Sequence, residues 1–185
     1  MRYLTGAILG IAALTVTTGA QSAALVLGHN LANSCYEKAE GLSNAQDAVA
    51  ICTSALEDPM SIKDRAATLV NRGILRAHGS DFDGALADYD AAIAIAADPG
   101  EAYLNRSATM IALKRYDEAV ANASKAIALG SHRQEVAYYN RAVANEALGN
   151  VGAAYQDYRA ALRVQPRFSA ATDQLAHFQV VGNGT

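Results

Sequence analysis

The chain has 185 residues, of which 51% are hydrophobic and 18% are charged, a composition that excludes a disordered tail. Proline is scarce, with 3 residues, and tryptophan is absent; the many alanines favour helices because alanine loses no side-chain entropy in a helix. The formal net charge is −3 and the pI is about 5.8, so we expect no nucleic-acid partner, since such a protein would carry a basic stripe.

The N-terminal segment, residues 1–24, has the layout of a secretory signal peptide. Arg2 precedes an apolar stretch, and small residues follow at 20–24. We therefore expect export to the bacterial periplasm or outside the cell, and no membrane span after cleavage. The alternative is an uncleaved membrane anchor, because the apolar character extends to Leu27 and a span needs about 20 apolar residues.

An asparagine–arginine pair followed by a small residue occurs three times, at intervals of 105 − 71 = 34 and 140 − 105 = 35 residues. Fourteen residues after each asparagine stands an alanine, and a second alanine follows seven residues later. Four residues after the first alanine stands a tyrosine or an alanine, and eight residues after it an isoleucine or a leucine. Offsets of 0, 4, 7 and 8 lie on one stripe of an α-helix, so this stripe predicts a second helix in each unit, after the helix that carries the triplet. The triplets are Asn71-Arg72-Gly73, Asn105-Arg106-Ser107 and Asn140-Arg141-Ala142, and the alanine pairs are Ala85 and Ala92, Ala119 and Ala126, and Ala154 and Ala161.

These units resemble tetratricopeptide repeats, a helix–turn–helix family with a period of 34 residues. The small residues Gly73, Ser107 and Ala142 and the paired alanines carry the resemblance. The family's first-helix leucine is replaced by arginine here. The resemblance implies an all-α fold, an α-solenoid of helix–turn–helix repeats whose first helices line a concave surface. Gly79 and Gly149 suit the left-handed residue that often ends a helix.

The repeat register divides the rest of the chain. A divergent first unit is expected at 29–62, and a C-terminal helix that caps the solenoid at 169–181, followed by a disordered tail at 182–185. The three full repeats are assigned to residues 66–99, 100–133 and 135–168.

The two cysteines, Cys35 and Cys52, stand at the seventh and twenty-fourth positions of the first unit. Residues equidistant from the turn of an antiparallel helix pair face each other, and an exported chain with two cysteines favours a disulfide. The bond would close a loop of 52 − 35 = 17 residues. The alternative, a redox-active pair, lacks a Cys-x-x-Cys spacing and an adjacent basic residue.

The arginine of each triplet lies about 100° around the helix from the asparagine, so it is predicted to face the second helix of its own unit. The same equidistance predicts ion pairs of Arg72 with Asp88 and of Arg141 with Asp157. Arg106 is predicted to make a hydrogen bond with Asn122.

A concave, apolar groove with one asparagine per unit is the predicted partner-binding surface, suited to an extended peptide or a helix. The asparagine amides could bond a peptide backbone. Alternatively, the asparagines bond neighbouring first helices to one another, and the groove is filled by the C-terminal helix or by a second copy, which would make a homo-oligomer. No lysine or arginine lies on this face, so capture of a free C-terminal carboxylate is not expected. The predicted binding residues are Val70, Asn71, Ile74, Glu101, Leu104, Asn105, Ala108, Val136, Tyr139, Asn140 and Val143.

No catalytic, metal or cofactor site can be identified in the sequence. The histidines are not spaced as zinc ligands, and the chain has no glycine-rich phosphate loop and no nucleophile with an identifiable base. The predicted function is therefore a non-enzymatic module that binds a protein or peptide partner. The alternative is a structural subunit of an envelope or secretion assembly.

Overall fold

A computed structural model describes residues 2–5, 31–42 and 45–181. Within these residues the chain forms nine α-helices and two short strands. In chain order they are β1 Arg2–Thr5, α1 Leu31–Gly41, α2 Ala45–Glu57, α3 Ile62–His78, α4 Phe82–Ile95, α5 Gly100–Ala112, α6 Tyr116–Ala128, α7 Gln134–Ala147, α8 Val151–Val164, α9 Ser169–Leu175 and β2 Phe178–Val181.

The helices pack as consecutive pairs: α1 with α2, α3 with α4, α5 with α6, and α7 with α8. Each pair then packs on the next, and the first helices α1, α3, α5 and α7 also contact one another in sequence. This arrangement confirms the predicted all-α solenoid of helical repeats. The short strands lie at the two ends of the chain and do not alter that fold class.

Small side chains allow the helices of a pair to approach closely. A Cβ added at Gly73 would lie 2.5 Å from Cε1 of Tyr89, whose ring is fully buried across the pair on α4. In the third full repeat, Ala142 packs in the same cluster as the fully buried Tyr158. Close packing of this kind leaves no room for larger residues at the triplet's third position.

The turn between the two helices of a unit uses a left-handed residue at a recurring place. That residue is Ser80 with φ 66°, Lys114 with φ 59° and Gly149 with φ 79°. Gly149 has the predicted conformation, but the prediction for Gly79 is wrong, since its φ is −79°. The repeat register places the turn one residue later, at Ser80.

The C-terminal helix is shorter than predicted. Helix α9 ends at Leu175, and Phe178–Val181 form β2, which pairs antiparallel with β1. Phe178, Val180 and Val181 are residue types that favour an extended chain over a helix. Strand β1 lies inside the predicted signal peptide, whereas residues 6–30 and the predicted tail at 182–185 lie outside the described residues. No helix in the described part of the chain is both long and apolar enough to cross a membrane.

Candidate partner-binding surface

The asparagines of the three triplets are enclosed. Asn71 and Asn105 are 0% exposed and Asn140 is 2% exposed. The Nδ2 of Asn140 donates to Oγ of Ser107 at 3.0 Å, which links α7 to α5. At this junction the asparagine bonds neighbouring first helices, one of the two roles open to it from the sequence.

The apolar residues of the predicted groove differ in how deeply they are buried. Val70 and Ile74 belong to a core cluster with Ala102 of the next unit, and Leu104 packs with Val136 at the junction of α5 and α7. They lie between successive first helices because those helices approach closely. The predicted residues that keep partial exposure are Glu101, Ala108, Tyr139 and Val143.

Two of these partly exposed residues already have partners within the chain. Oε1 of Glu101 accepts a hydrogen bond from the backbone N–H of His132 at 2.7 Å, which ties the turn before α7 to α5. The Tyr139 ring lies 5.7 Å from that of Tyr158 and 5.5 Å from that of Phe168, and burial raises the pKa of Tyr139. Ala108 is also partly exposed, and Val143 keeps partial exposure while it packs against the core cluster shared by α7, α8 and α9.

The arginines of the triplets face their second helices, with the partners expected from the sequence. Nη2 of Arg72 lies 2.7 Å from Oδ1 of Asp88, and its Nε also donates to that carboxylate. Arg141 makes the same two-pronged contact with Asp157 at 2.7 and 2.8 Å. In the unit between them, Nη1 of Arg106 donates to Oδ1 of Asn122 at 3.0 Å.

Asp88 also binds a second arginine, Arg76, which was not predicted from the sequence. Nη1 of Arg76 donates to Oδ2 of Asp88 at 2.9 Å. Arg76 follows Arg72 by one helical turn, so the two arginines share a face of α3. This spacing is the sequence signal from which the second contact could have been predicted. The nearly buried carboxylate of Asp88 therefore holds two guanidinium groups.

Each arginine also contacts the second helix of the preceding unit, which the sequence reading did not predict. The contacts are Arg72 Nη1 to Thr53 Oγ1 at 3.2 Å, Arg106 Nε to Asp90 Oδ1 at 3.1 Å, and Arg141 Nη1 to Ser124 Oγ at 3.2 Å. We call one arginine with its two polar partners, one in its own unit and one in the preceding unit, an arginine bridge; the contact of Arg106 with Asp90 is an ion pair, because Nε of Arg106 lacks hydrogen-bond geometry there. These bridges couple successive repeats as well as the helices within each repeat.

The first unit has a covalent bond at the equivalent place. Cys35 of α1 and Cys52 of α2 form a disulfide, with 4.9 Å between their Cα atoms. Both cysteines are fully buried, so the bond lies inside the helix pair.

Buried tyrosines lie behind the predicted surface. The hydroxyl of Tyr158 donates to Oε2 of Glu146 at 2.8 Å, and burial, with the nearby Glu146 carboxylate, raises the pKa of Tyr158. Burial likewise raises the pKa of Tyr89. Over the described ranges, no group of three or more His, Cys, Asp or Glu residues is placed to hold a metal ion.

The repeat resemblance can be compared with known proteins. Residues 136–168 match the family model of the tetratricopeptide repeat (TPR). Mouse serine/threonine-protein phosphatase 5 is 34% identical over 121 residues, which cover 62% of this chain and 24% of the phosphatase. The chain thus spans about a quarter of that relative's length.

Solved TPR structures support the fold over a longer range. The first TPR of Spaghetti (RPAP3), bound to an HSP90 peptide, is 25% identical with a TM-score of 0.57, covering 60% of this chain and 88% of that one. MamA from Desulfovibrio magneticus is 15% identical with a TM-score of 0.63, covering 80% and 82%. TPR domains of this fold are protein–protein interaction modules.

Proposed function

We propose that the protein is a non-enzymatic interaction module that holds a protein or peptide partner along its first helices. The observation that carries this proposal is the partial exposure of three uncharged residues, Ala108 and Ile111 on α5 and Val143 at the position of Ala108 on α7, which we call the strip. Such a strip accommodates the apolar side chains of an extended peptide or a helix. The RPAP3 domain, solved with the HSP90 peptide SRMEEVD, supports peptide binding as a use of this fold.

In this proposal the predicted binding residues have two roles. Ala108, Tyr139, Val143 and Glu101 contact the partner or border its site. Val70, Asn71, Ile74, Leu104, Asn105, Val136 and Asn140 hold the first helices at the spacing that forms the strip. A charge at a fully buried member such as Leu104 would unfold the array and would not report on binding.

The test uses two charged variants on the strip, Ala108→Glu and Val143→Glu. Partners crosslinked to the wild-type protein are identified by mass spectrometry, purified and titrated calorimetrically. Each variant is expected to weaken binding at least about tenfold, because a carboxylate would be desolvated in an apolar contact.

The matched control is Ala121→Glu, an exposed position on α6, the second helix of the same unit. It should leave the affinity within about twofold. Equal affinities for all three variants, with unchanged circular dichroism, would show that the partner binds elsewhere.

We also propose that residues 1–24 direct export to the periplasm or the exterior. The order of Arg2, an apolar stretch and small residues supports this proposal, as does a disulfide between Cys35 and Cys52, a bond typical of oxidising compartments. Fractionation followed by intact mass measurement is the test. A protein recovered only from the cytoplasm, with residues 1–24 present and both thiols reduced, would contradict it.

A further inference from the structure

In the last full repeat, the position that accepts an arginine in the earlier repeats is itself occupied by an arginine. The residue that accepts the next unit's arginine stands eighteen residues after the seventh position of each unit: 35 + 18 = 53, 72 + 18 = 90 and 106 + 18 = 124. The last full repeat has Arg159 at that place, since 141 + 18 = 159. A donor therefore occupies the position where Thr53 and Ser124 accept hydrogen bonds and where Asp90 forms an ion pair.

Helix α9 occupies the place of a fifth first helix but lacks the arginine that α3, α5 and α7 carry. Ala171 is fully buried against α7 and α8, as expected for a residue 34 positions after the buried Ala137. The arginine position falls at 141 + 34 = 175, which is Leu175. The fourth bridge thus has an arginine on the earlier unit and an apolar side chain on the later one.

A shallow cavity of about 370 Å³, open to solvent at the protein surface, lies at this incomplete bridge. Its apolar lining comes from Leu162, Leu175, Phe178 and Tyr155, and its cationic lining from Arg159 and Arg163. The guanidinium of Arg159 lies 5.7 Å from the centre of the Tyr155 ring, a contact that holds it beside the cavity. In the described part of the chain, neither Arg159 nor Arg163 makes an ion pair.

We propose that this cavity is a second docking site, which binds an acidic peptide segment of another protein. The segment places an aspartate or glutamate carboxylate against Arg159 and Arg163, which are one helical turn apart, and an adjacent apolar side chain against Leu162 and Leu175. Arginine pairs with carboxylates through two parallel hydrogen bonds, as Arg72 and Arg141 do within the array. The bound segment completes the fourth bridge with donor and acceptor exchanged.

A second copy of the chain fits this site poorly. If the array continued into another copy, α1 would meet α8 through the face that later first helices bury against the preceding unit. On α1 that face presents Leu31 and Lys38, whereas Thr68 and Leu75 occupy these positions in α3 and are buried. Lys38 would approach arginines of the same charge, which opposes stacking.

The binding test uses the full chain and a fluorescein-labelled peptide, ELAAELAAEL, whose glutamates and leucines each recur at one helical turn. Arg159→Glu is expected to weaken binding about tenfold through loss of a charge-assisted contact. Arg167→Glu makes the same charge change outside the cavity and should have less than about a twofold effect. A lysine peptide, KLAAKLAAKL, should bind Arg159→Glu more tightly than it binds the wild type.

Other outcomes would overturn the proposed site. Equal losses for Arg159→Glu and Arg167→Glu would mean diffuse attraction and overturn the site, as would no binding at millimolar peptide. A dimer lost on Arg159→Glu, seen by light scattering, would assign the cavity to a second copy. Amide shift changes at α8 and α9, with Val143→Glu still binding the peptide, separate this site from the first-helix strip.

Discussion

The first unit and the repeat at 66–99 hold their helix pairs together with different chemistry at the same position. The seventh residue of the first unit is Cys35, bonded covalently to Cys52, whereas the next unit has Arg72, which binds Asp88. Among the described residues the first unit packs against a neighbouring repeat on one side, so the covalent link supplies a restraint that interior units gain from two neighbours. Interior units gain the same restraint from charged groups enclosed between neighbours.

The same two units carry their large aromatic residue on opposite helices of the pair. The later unit places the large ring of Tyr89 on its second helix over Gly73 on its first. The first unit has Tyr36 at the glycine position and Cys52 at the tyrosine position. A disulfide needs a shorter reach than an arginine bridge, so a small residue on the second helix suits the first unit. The two units meet at Thr53, which follows Cys52 and accepts from Arg72 at 3.2 Å.

The largest expected effect comes from removing the carboxylate that serves two arginines. Asp88→Ala leaves Arg72 and Arg76 without their shared acceptor, and the Asp88 side chain is only 4% exposed. Loss of one partner of a buried pair is expected to lower the free energy of unfolding by about 3–5 kcal/mol, measured by urea denaturation. The control is Asp90→Ala, whose side chain is 58% exposed and which should cost about 0–1 kcal/mol. Equal costs would mean that burial does not strengthen the interior bridge.

Removing the covalent link of the first unit should have the next largest effect. Cys35→Ala combined with Cys52→Ala opens a 17-residue loop, which costs about 3 kcal/mol in the chain-entropy model. Hydrogen exchange should accelerate in α1 and α2 and stay slow in α7 and α8. An equal acceleration along the whole array would contradict a restraint confined to the end unit.

The close contact of Gly73 with Tyr89 predicts a smaller loss. Gly73→Ala places a Cβ 2.5 Å from Cε1 of the fully buried ring, and such overpacking costs about 1–3 kcal/mol in denaturant unfolding. Gly84→Ala is the control, because the atoms nearest to its Cβ belong to the exposed carboxylate of Asp81, which can rotate away. That rotation breaks the helix cap of α4 and costs about 1 kcal/mol. Identical costs would remove the steric explanation for the small residue.

Alkaline pH should weaken the repeat at 66–99 through Tyr89. Burial raises the pKa of Tyr89 above its ordinary value of 10.0, so above pH 10 the unfolded chain releases a proton that the folded chain retains. The free energy of unfolding is unaffected by this group below about pH 10 and falls above it, by about 1.4 kcal/mol per pH unit. Urea titrations at about pH 9, 10 and 11 should show that Tyr89→Phe lowers this slope. An unchanged slope would show that Tyr89 ionises in the folded protein.

The sequence predicted the contacts within each helix pair because a recurring interval and the turn position determine which residues face each other. The Arg72–Asp88 and Arg141–Asp157 pairs and the Cys35–Cys52 disulfide follow from that rule, and the structure has all three. The contacts between units did not follow from it. Thr53 and Ser124 lie in preceding units, and their roles depend on how one pair packs on the next.

The exposure of a face also depends on that packing. Helical periodicity placed Asn140 and Leu104 on the same face as Val143, but it gives no distance to the neighbouring first helix. Small side chains let α5 and α7 approach until Leu104 and Asn140 were enclosed, while Val143 kept partial exposure. The pairing of β2, which follows α9, with β1 likewise joins distant parts of the chain and is not given by helical periodicity.

By itself, the sequence determined the repeat interval, the pairing of helices and most of the residues that join the two helices of a pair, because these depend on local periodicity and on symmetry about each turn. Only the tertiary structure decided which side chains of the first helices remain accessible and where the array forms a cavity at its surface. Both depend on the spacing between successive helix pairs, which results from packing along the whole array.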